Sequence, residues 1–329
     1  MDHSYISNSK RPMKTFNKFL FYTVIILLTV VAVDKSFGLM LECLWRSIPV
    51  TQDMGKAQYA RNEVCTDIVV IGSSRAAHHY NVNEISERMG LSTYNVGLDG
   101  CFFLDNCCVM HSLMERYSPK IIILEIAEDA MYAEAVNHLE GLYHYYWSDT
   151  YVREIVNHEE GWQAAVKLSS SLYRHNANSF KTIGYGIKGL LAGKQADVLN
   201  GYAPIEYRGK LRELELSDNE SNITSLTISE WKMELLRNLL TTAEDKGIDV
   251  FVVTSPSFHS PCSSCSSSSE KISEICEHCG FSYWNYTSEP EFLEHPEWFN
   301  DGAHLNEVGA DVFTKLIVDR IMDRIMDFC

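Results

Sequence analysis

Three stretches dictate the architecture: "DIVVI" at Asp67–Ile71, "KIIILEIA" at Lys120–Ala127 and "GIDVFVVTSP" at Gly247–Pro256. None alternates apolar with polar residues. A strand that is apolar on both faces must be buried on both, and this is the mark of a parallel sheet covered by helices on each side. Helix-like stretches separate the strands, as parallel crossovers require. Ala76 to Met89 reads as one helix, and Leu91 to Val96 as a second strand. In Phe102 to Tyr117 the residues Phe103, Cys107, Met110, Leu113 and Met114 share one helical face. Thr227 to Lys246 reads as a helix opened by a capping box in "TISE". "SSSEKISEICEHCG" is a helix stopped by its glycine, "FSYWNY" a fifth strand, and Asn306 to Phe328 a terminal helix. The expected fold class is α/β, a three-layer sandwich about a parallel sheet. Between about 130 and 225 the alternation stops. That region carries the aromatic-rich "GLYHYYWSDTYVREIV" and the glycine-spaced "TIGYGIKGLLAGK", and is expected to be a mostly helical insertion.

The N-terminus follows different rules. Arg11, Lys14 and Lys18 precede an unbroken apolar run from Phe19 to Val33, closed by Asp34 and Lys35. With Phe16 the run reaches the roughly 20 residues of a spanning helix. A cleaved signal peptide and an uncleaved signal anchor compete; "VAVDKSFGLM" offers no good small-residue cleavage site, which favours the anchor. Residues 1–15 form a cytoplasmic tail under the positive-inside rule, 16–35 the single transmembrane helix and 36–65 a stalk. The remainder is expected on the periplasmic or extracellular side of the cell membrane. With 28 basic and 44 acidic side chains the net charge is −16, which argues against nucleic acid as a partner.

The first strand ends in Gly72-Ser73-Ser74-Arg75, two hydroxyls and a cation at the exit of a buried strand. A tight turn with a helix cap is one explanation. A nucleophilic serine is the other, and it needs a base, an orienting acid and an oxyanion donor. Asp301 and His304 stand three apart in "FNDGAHLNEVG", just before the last helix. The carboxylate can hold one ring nitrogen while the other faces a serine. Ligands of a doubly wound sheet lie at the carboxyl ends of its strands. "NVGLDG" occupies that place after the second strand, with Asn95, Gly97 and Gly100 in a turn where backbone can approach a ligand and the Gly100 N–H can donate to an oxyanion.

Serine after strand one, glycine after strand two and Asp-x-x-His before the last helix come in the order of a known family. The chain resembles the SGNH (GDSL-like) hydrolases and acyltransferases over roughly Thr66 to Phe313, the insertion excepted. The resemblance implies a flavodoxin-like sandwich at 66–329 as the catalytic domain, with Ser74 (rather than Ser73) as nucleophile, His304 as base, Asp301 as its orienting acid, and the N–H groups of Ser74 and Gly100 as the oxyanion hole. The chain departs from the family in its third block. Where an asparagine usually donates to the oxyanion, "EIAEDAMY" places Asp129. Arg75 is an accessory candidate, with an ion pair to a nearby carboxylate as the competing role. The "GSSR" variant, the anchor and the insertion are similar to the membrane-anchored SGNH-like proteins that O-acylate cell-envelope polysaccharides. That likeness implies a serine esterase or O-acyltransferase acting through an acyl-serine on acyl, chiefly acetyl, esters of an envelope or secreted polysaccharide. It also implies a membrane-bound acyltransferase as a partner. A non-catalytic glycan-binding or scaffold protein that keeps the fold is the alternative.

No cofactor is called for. Cys262, Cys265, Cys276 and Cys279 form two C-x-x-C pairs about ten residues apart, open to disulfides, free thiols or a zinc site. Cys101, Cys107 and Cys108 read as small buried apolar residues, and His78 and His79 as packing or solvent-facing positions.

Overall fold

The computed structural model describes residues 10–135, 137–193, 197–207, 227–258 and 265–326. Five strands among them form one parallel sheet: β1 (Ile68–Ile71), β2 (Thr93–Asn95), β3 (Ile121–Glu125), β4 (Asp249–Thr254) and β5 (Ser282–Asn285), in the order β2-β1-β3-β4-β5. This is the flavodoxin-like strand order, in which the chain reverses direction across the sheet beside β1. Ile68 lies opposite both Thr93 and Ile121, so β1 sits at the centre of the site-bearing edge.

The apolar runs divide by period two. Val69, Ile71, Ile122, Leu124, Val250 and Val252 face one core cluster. That side is covered by α2 (Asp53–Asn62), α5 (Phe103–Arg116), α10 (Glu230–Asp245) and α11 (Cys265–His278). Ile68, Val70, Ile121, Ile123, Phe251 and Val253 face the other. There α3 (Ser74–His79), α4 (Val82–Met89) and α13 (Glu307–Met326) pack on the sheet. Burying each such Ile or Leu contributes about 2 kcal/mol. The two clusters are the outer seams of a three-layer sandwich.

Between β3 and β4 the described chain is helical: α6 (Thr150–Glu160), α7 (Gln163–Ser169), α8 (Ser171–His175) and α9 (Ser179–Ala192). Beyond β5 a one-turn helix, α12 (Pro290–Leu293), precedes the loop that leads into α13. The N-terminal helix α1 (Lys10–Arg46) is long and apolar enough to cross a membrane, and its residues Phe19, Phe21, Leu27 and Leu28 are exposed.

Three expectations need correction. Residues 36–65 are not a free stalk. α1 continues through Arg46, Leu41 and Trp45 are buried, and α2 buries Lys56, Ala60 and Arg61 against the domain. The glycine spacing of α9 explains part of this packing. A Cβ on Gly186 would lie 2.5 Å from the Leu44 carbonyl oxygen, so the helices touch backbone to backbone. The single helix read over Ala76–Met89 is two. Tyr80 is extended, and the Asn81 side chain accepts from the N–H groups of Asn83 and Glu84, capping a fresh start at α4. The capping box of "TISE" does not form. Ser229 is the cap of α10, accepting from Lys232 N–H, and Thr227 N–H instead donates to Glu134.

Candidate active site

β1 delivers its last residue to Gly72, where a side chain has no room: a Cβ would lie 2.7 Å from Ala76 Cβ and 2.8 Å from Glu125 Cβ. The chain then turns directly into α3. Ser73 stands at the cap position, yet its hydroxyl makes no cap hydrogen bond. The turn therefore does not use its first hydroxyl as a cap. Ser74 opens the helix, and its Oγ lies 2.8 Å from His304 Nε2. Asp301 Oδ1 and Oδ2 lie 2.9 and 3.1 Å from His304 Nδ1. With the proton on Nδ1, the ring donates to Asp301 and Nε2 accepts from Ser74 Oγ–H. This is the serine–imidazole–carboxylate relay geometry. Asp301 also accepts from the N–H groups of Ala303 and His304 and from the Asn300 amide. Partial burial opposes its ionisation, but the hydrogen bonds from His304, Ala303 and Asn300 outweigh it and hold the carboxyl far below the usual aspartate range.

Gly100 adopts φ +68°, in the left-handed region that glycine enters without strain. Its loop is held at several points. Gly97 N–H donates to Asn95 Oδ1, Leu98 N–H to Gly72 O and Cys101 N–H to Leu98 O. From α2, the buried Lys56 Nζ donates to the carbonyls of Gly97 (2.5 Å) and Gly201 (2.6 Å), and burial brings its pKa down to about 8. Gly100, Ser73, Ser74, Phe102 and Asp129 line one cleft of about 570 Å³. A second cleft of about 410 Å³ meets it at Gly100 and Cys101 and carries Asp53, Asp99, His144 and Lys181. Cys101 does not offer a rival nucleophile, since burial pushes its thiol well above the ordinary range.

The remaining sequence candidates are placed as follows. Asp129 lies in the short 3₁₀ turn Glu128–Met131 on the wall of the first cleft. Asn95 is fully buried, and its amide bonds the backbone of Ala76, Tyr80 and Gly97. Arg75 turns inward, with Nε 3.3 Å from Glu125 Oε1 and 3.1 Å from Ser255 Oγ. Cys276 and Cys279 are buried free thiols, and burial raises Cys276 to about 12. Cys262 lies outside the described residues, and so does the four-cysteine site.

Sequence reasoning missed the histidines behind Ser74. His79 is fully buried. Leu305 N–H donates to its Nε2 at 2.9 Å, which fixes the proton on Nδ1, and Nδ1–H donates to Ser255 Oγ at 2.7 Å. Ser255 O–H and N–H in turn donate to Glu125 Oε1, and Tyr80 O–H donates to Oε2. Burial, with Arg75 nearby, holds His79 neutral, well below the ordinary imidazole range. His78 faces two acceptors, the Ala203 carbonyl at Nδ1 (2.6 Å) and Asp99 at Nε2 (3.1 Å). Although burial opposes it, those two partners raise its pKa and favour the cation. Its ring stands edge-on to His304, 5.5 Å between centroids. The only sequence clue was two histidines in the turn after Ser74.

No protein-family model and no curated protein match the chain. Among solved structures, the chain is similar to a lipase/acylhydrolase from Enterococcus faecalis at 12% identity and a TM-score of 0.40, covering 78% of this chain and 95% of that one. It is also similar to a family two carbohydrate esterase from Clostridium thermocellum at 6% identity and a TM-score of 0.40, covering 78% of this chain and 64% of that one.

Proposed function

We propose that this is an SGNH-like serine esterase or O-acyltransferase that acts on acyl esters of a carbohydrate polymer beside a membrane. The observation that carries the reading is the continuous hydrogen-bonded line Ser74–His304–Asp301, closed across 230 residues of sequence. Ser74 Oγ attacks the ester carbonyl carbon as His304 Nε2 takes its proton. Asp301 holds the ring and balances the imidazolium charge. The N–H groups of Ser74 and Gly100 receive the carbonyl oxygen as it becomes negative. His304 then protonates the departing alkoxide, leaving an acyl-serine. In the second half His304 removes a proton from the acceptor, whose oxygen attacks the acyl carbon, and Ser74 leaves with that proton. Water as acceptor makes an esterase; a sugar hydroxyl makes a transferase. A transferase role calls for an acyl donor, and a membrane-bound acyltransferase suits a chain anchored through α1 with its domain on the periplasmic or extracellular side.

The test is turnover of an activated acetyl ester, then of acetylated sugars, by the full chain in detergent micelles. The reading expects hydrolysis that Ser74→Ala lowers by about a thousandfold or more, while Ser73→Ala keeps most of it. Equal rates in wild type and Ser74→Ala, or none in either with all these esters, would instead support a glycan-binding scaffold.

A further inference from the structure

Away from Ser74, three chemically matched side chains meet where α1 rests on the helical insertion. Glu42 comes from α1, His144 from the 3₁₀ turn Tyr143–Tyr145 and His175 from the end of α8. Their donor atoms all lie within 4.8 Å of one another. Glu42 Oε1 accepts from Arg46 Nε at 2.8 Å, an i,i+4 contact that turns Oε2 toward both rings. Oε2 lies 3.9 Å from His144 Nδ1 and 3.7 Å from His175 Nε2.

These separations are too long for hydrogen bonds. The rings nevertheless are only 3% and 2% exposed, and His144 Nδ1, the atom that faces Glu42, is buried without a partner; on His175 the atom facing Glu42 is Nε2. Buried imidazole nitrogens without partners are costly and call for an explanation. Two nitrogens and a carboxylate oxygen suit a borderline divalent cation. Around zinc, bonds of about 2.0–2.1 Å set tetrahedral donors roughly 3.4 Å apart; the two carboxylate–imidazole gaps exceed this by about half an ångström or less, and the separations within 4.8 Å by at most about 1.4 Å, which side-chain rotation can close. Trp45, one turn after Glu42 on α1, stacks on His144 at 4.3 Å and 12°, fixing the ring plane.

We propose that Glu42, His144 and His175 bind a divalent transition-metal ion of the Zn²⁺ class, which ties the emergent end of α1 to the helical insertion. Three elements far apart in sequence would then share one ion, and the fourth coordination position would fall to water. The ion fixes how the anchor helix meets the domain. It takes no part in the Ser74 chemistry and stands or falls apart from the proposed activity.

The test uses the full chain in micelles, purified without a histidine tag, stripped with chelator and titrated with Co²⁺ and then Zn²⁺. One Co²⁺ per chain is expected, giving the intense visible bands of a four- or five-coordinate centre and displaced by Zn²⁺. Glu42→Gln, His144→Gln and His175→Gln should each weaken binding by well over about tenfold. His304→Gln and the double change Cys276→Ser, Cys279→Ser should leave it in place. Zn²⁺ should raise the melting temperature of the wild type and not of Glu42→Gln. Glu42 is the most exposed of the three at 27%, so that variant decides the matter if a histidine variant does not fold. The proposal is overturned by absence of a stoichiometric micromolar site, or by one that survives all three substitutions or disappears with His304 or the cysteines.

Discussion

Arg75 and Leu305 hang on the same buried carboxylate. Arg75 reaches Glu125 directly at 3.3 Å, and Leu305 reaches it through His79 and Ser255. Arg75 follows Ser74 and Leu305 follows His304, so Glu125, only 2% exposed at the end of β3, registers both halves of the site against the sheet. Replacing it by Gln would leave the largely enclosed Arg75 guanidinium without its counter-charge. Glu125→Gln is expected to lower stability by about 3 kcal/mol in urea unfolding. Ester turnover should fall in kcat more than in KM, because Ser74 and His304 lose their common support.

His79 gives a pH dependence of stability. Its native pKa is depressed well below the ordinary value of about 6.5 that the unfolded chain would show. Below that value the unfolded chain takes up a proton that the native chain refuses. Stability from this group is therefore intact above pH 6.5 and declines as the solution becomes more acidic, by up to about 1.4 kcal/mol per pH unit. Urea midpoints measured from pH 7.5 to 5 should show the decline, and His79→Gln should flatten it whatever its effect at neutral pH. An unchanged slope would contradict the buried neutral ring.

Asp301 is held ionised by His304, Ala303 and Asn300 despite partial burial. Asp301→Asn keeps the volume but removes the charge that supports the imidazolium, and it favours the wrong tautomer of His304. We expect kcat for an acetyl ester to fall by about a thousandfold or more at neutral pH with little change in KM. A drop below tenfold would mean that His304 is oriented by something else.

Lys56 joins the Gly100 loop to the chain at Gly201 by two charge-assisted hydrogen bonds. Lys56→Met retains the aliphatic stem and releases both carbonyls. The Gly100 N–H should then lose its fixed aim, lowering kcat by about tenfold in a protein that remains folded. Unchanged kcat would show that the loop holds its shape without the cation.

The sheet was legible because a parallel strand must be apolar on both faces, and runs such as "IIILEI" have no other use in a water-soluble layer. The pairing of Ser74 with Asp301 and His304 was an expectation carried by the order of the pieces and the family resemblance, since neither the serine turn nor Asp-x-x-His points to the other by itself. The roles of His78 and His79 were not legible. Their partners Ala203, Ser255 and Leu305 lie 125 to 226 residues away, and neither histidine carries a mark of them. Lys56 falls within the stretch read as a stalk and carried no signal of its own, since a lysine ordinarily stays in water unless buried acceptors claim it. Asn95 faced the ligand edge by position, but its short amide is captured by the backbone around it. Glu42, His144 and His175 have no motif spacing and meet only through the packing of α1 on the insertion.

Everything proposed for the site rests on Ser74 Oγ acting as the activated nucleophile. The most direct measurement is the intact mass and peptide map of the full chain after brief treatment with a phosphonate ester that traps activated serines. One adduct per chain is expected, mapped to Ser74, absent in Ser74→Ala and strongly slowed in His304→Gln. An adduct on Ser73 or elsewhere, or none under conditions that label a known serine esterase, would contradict it.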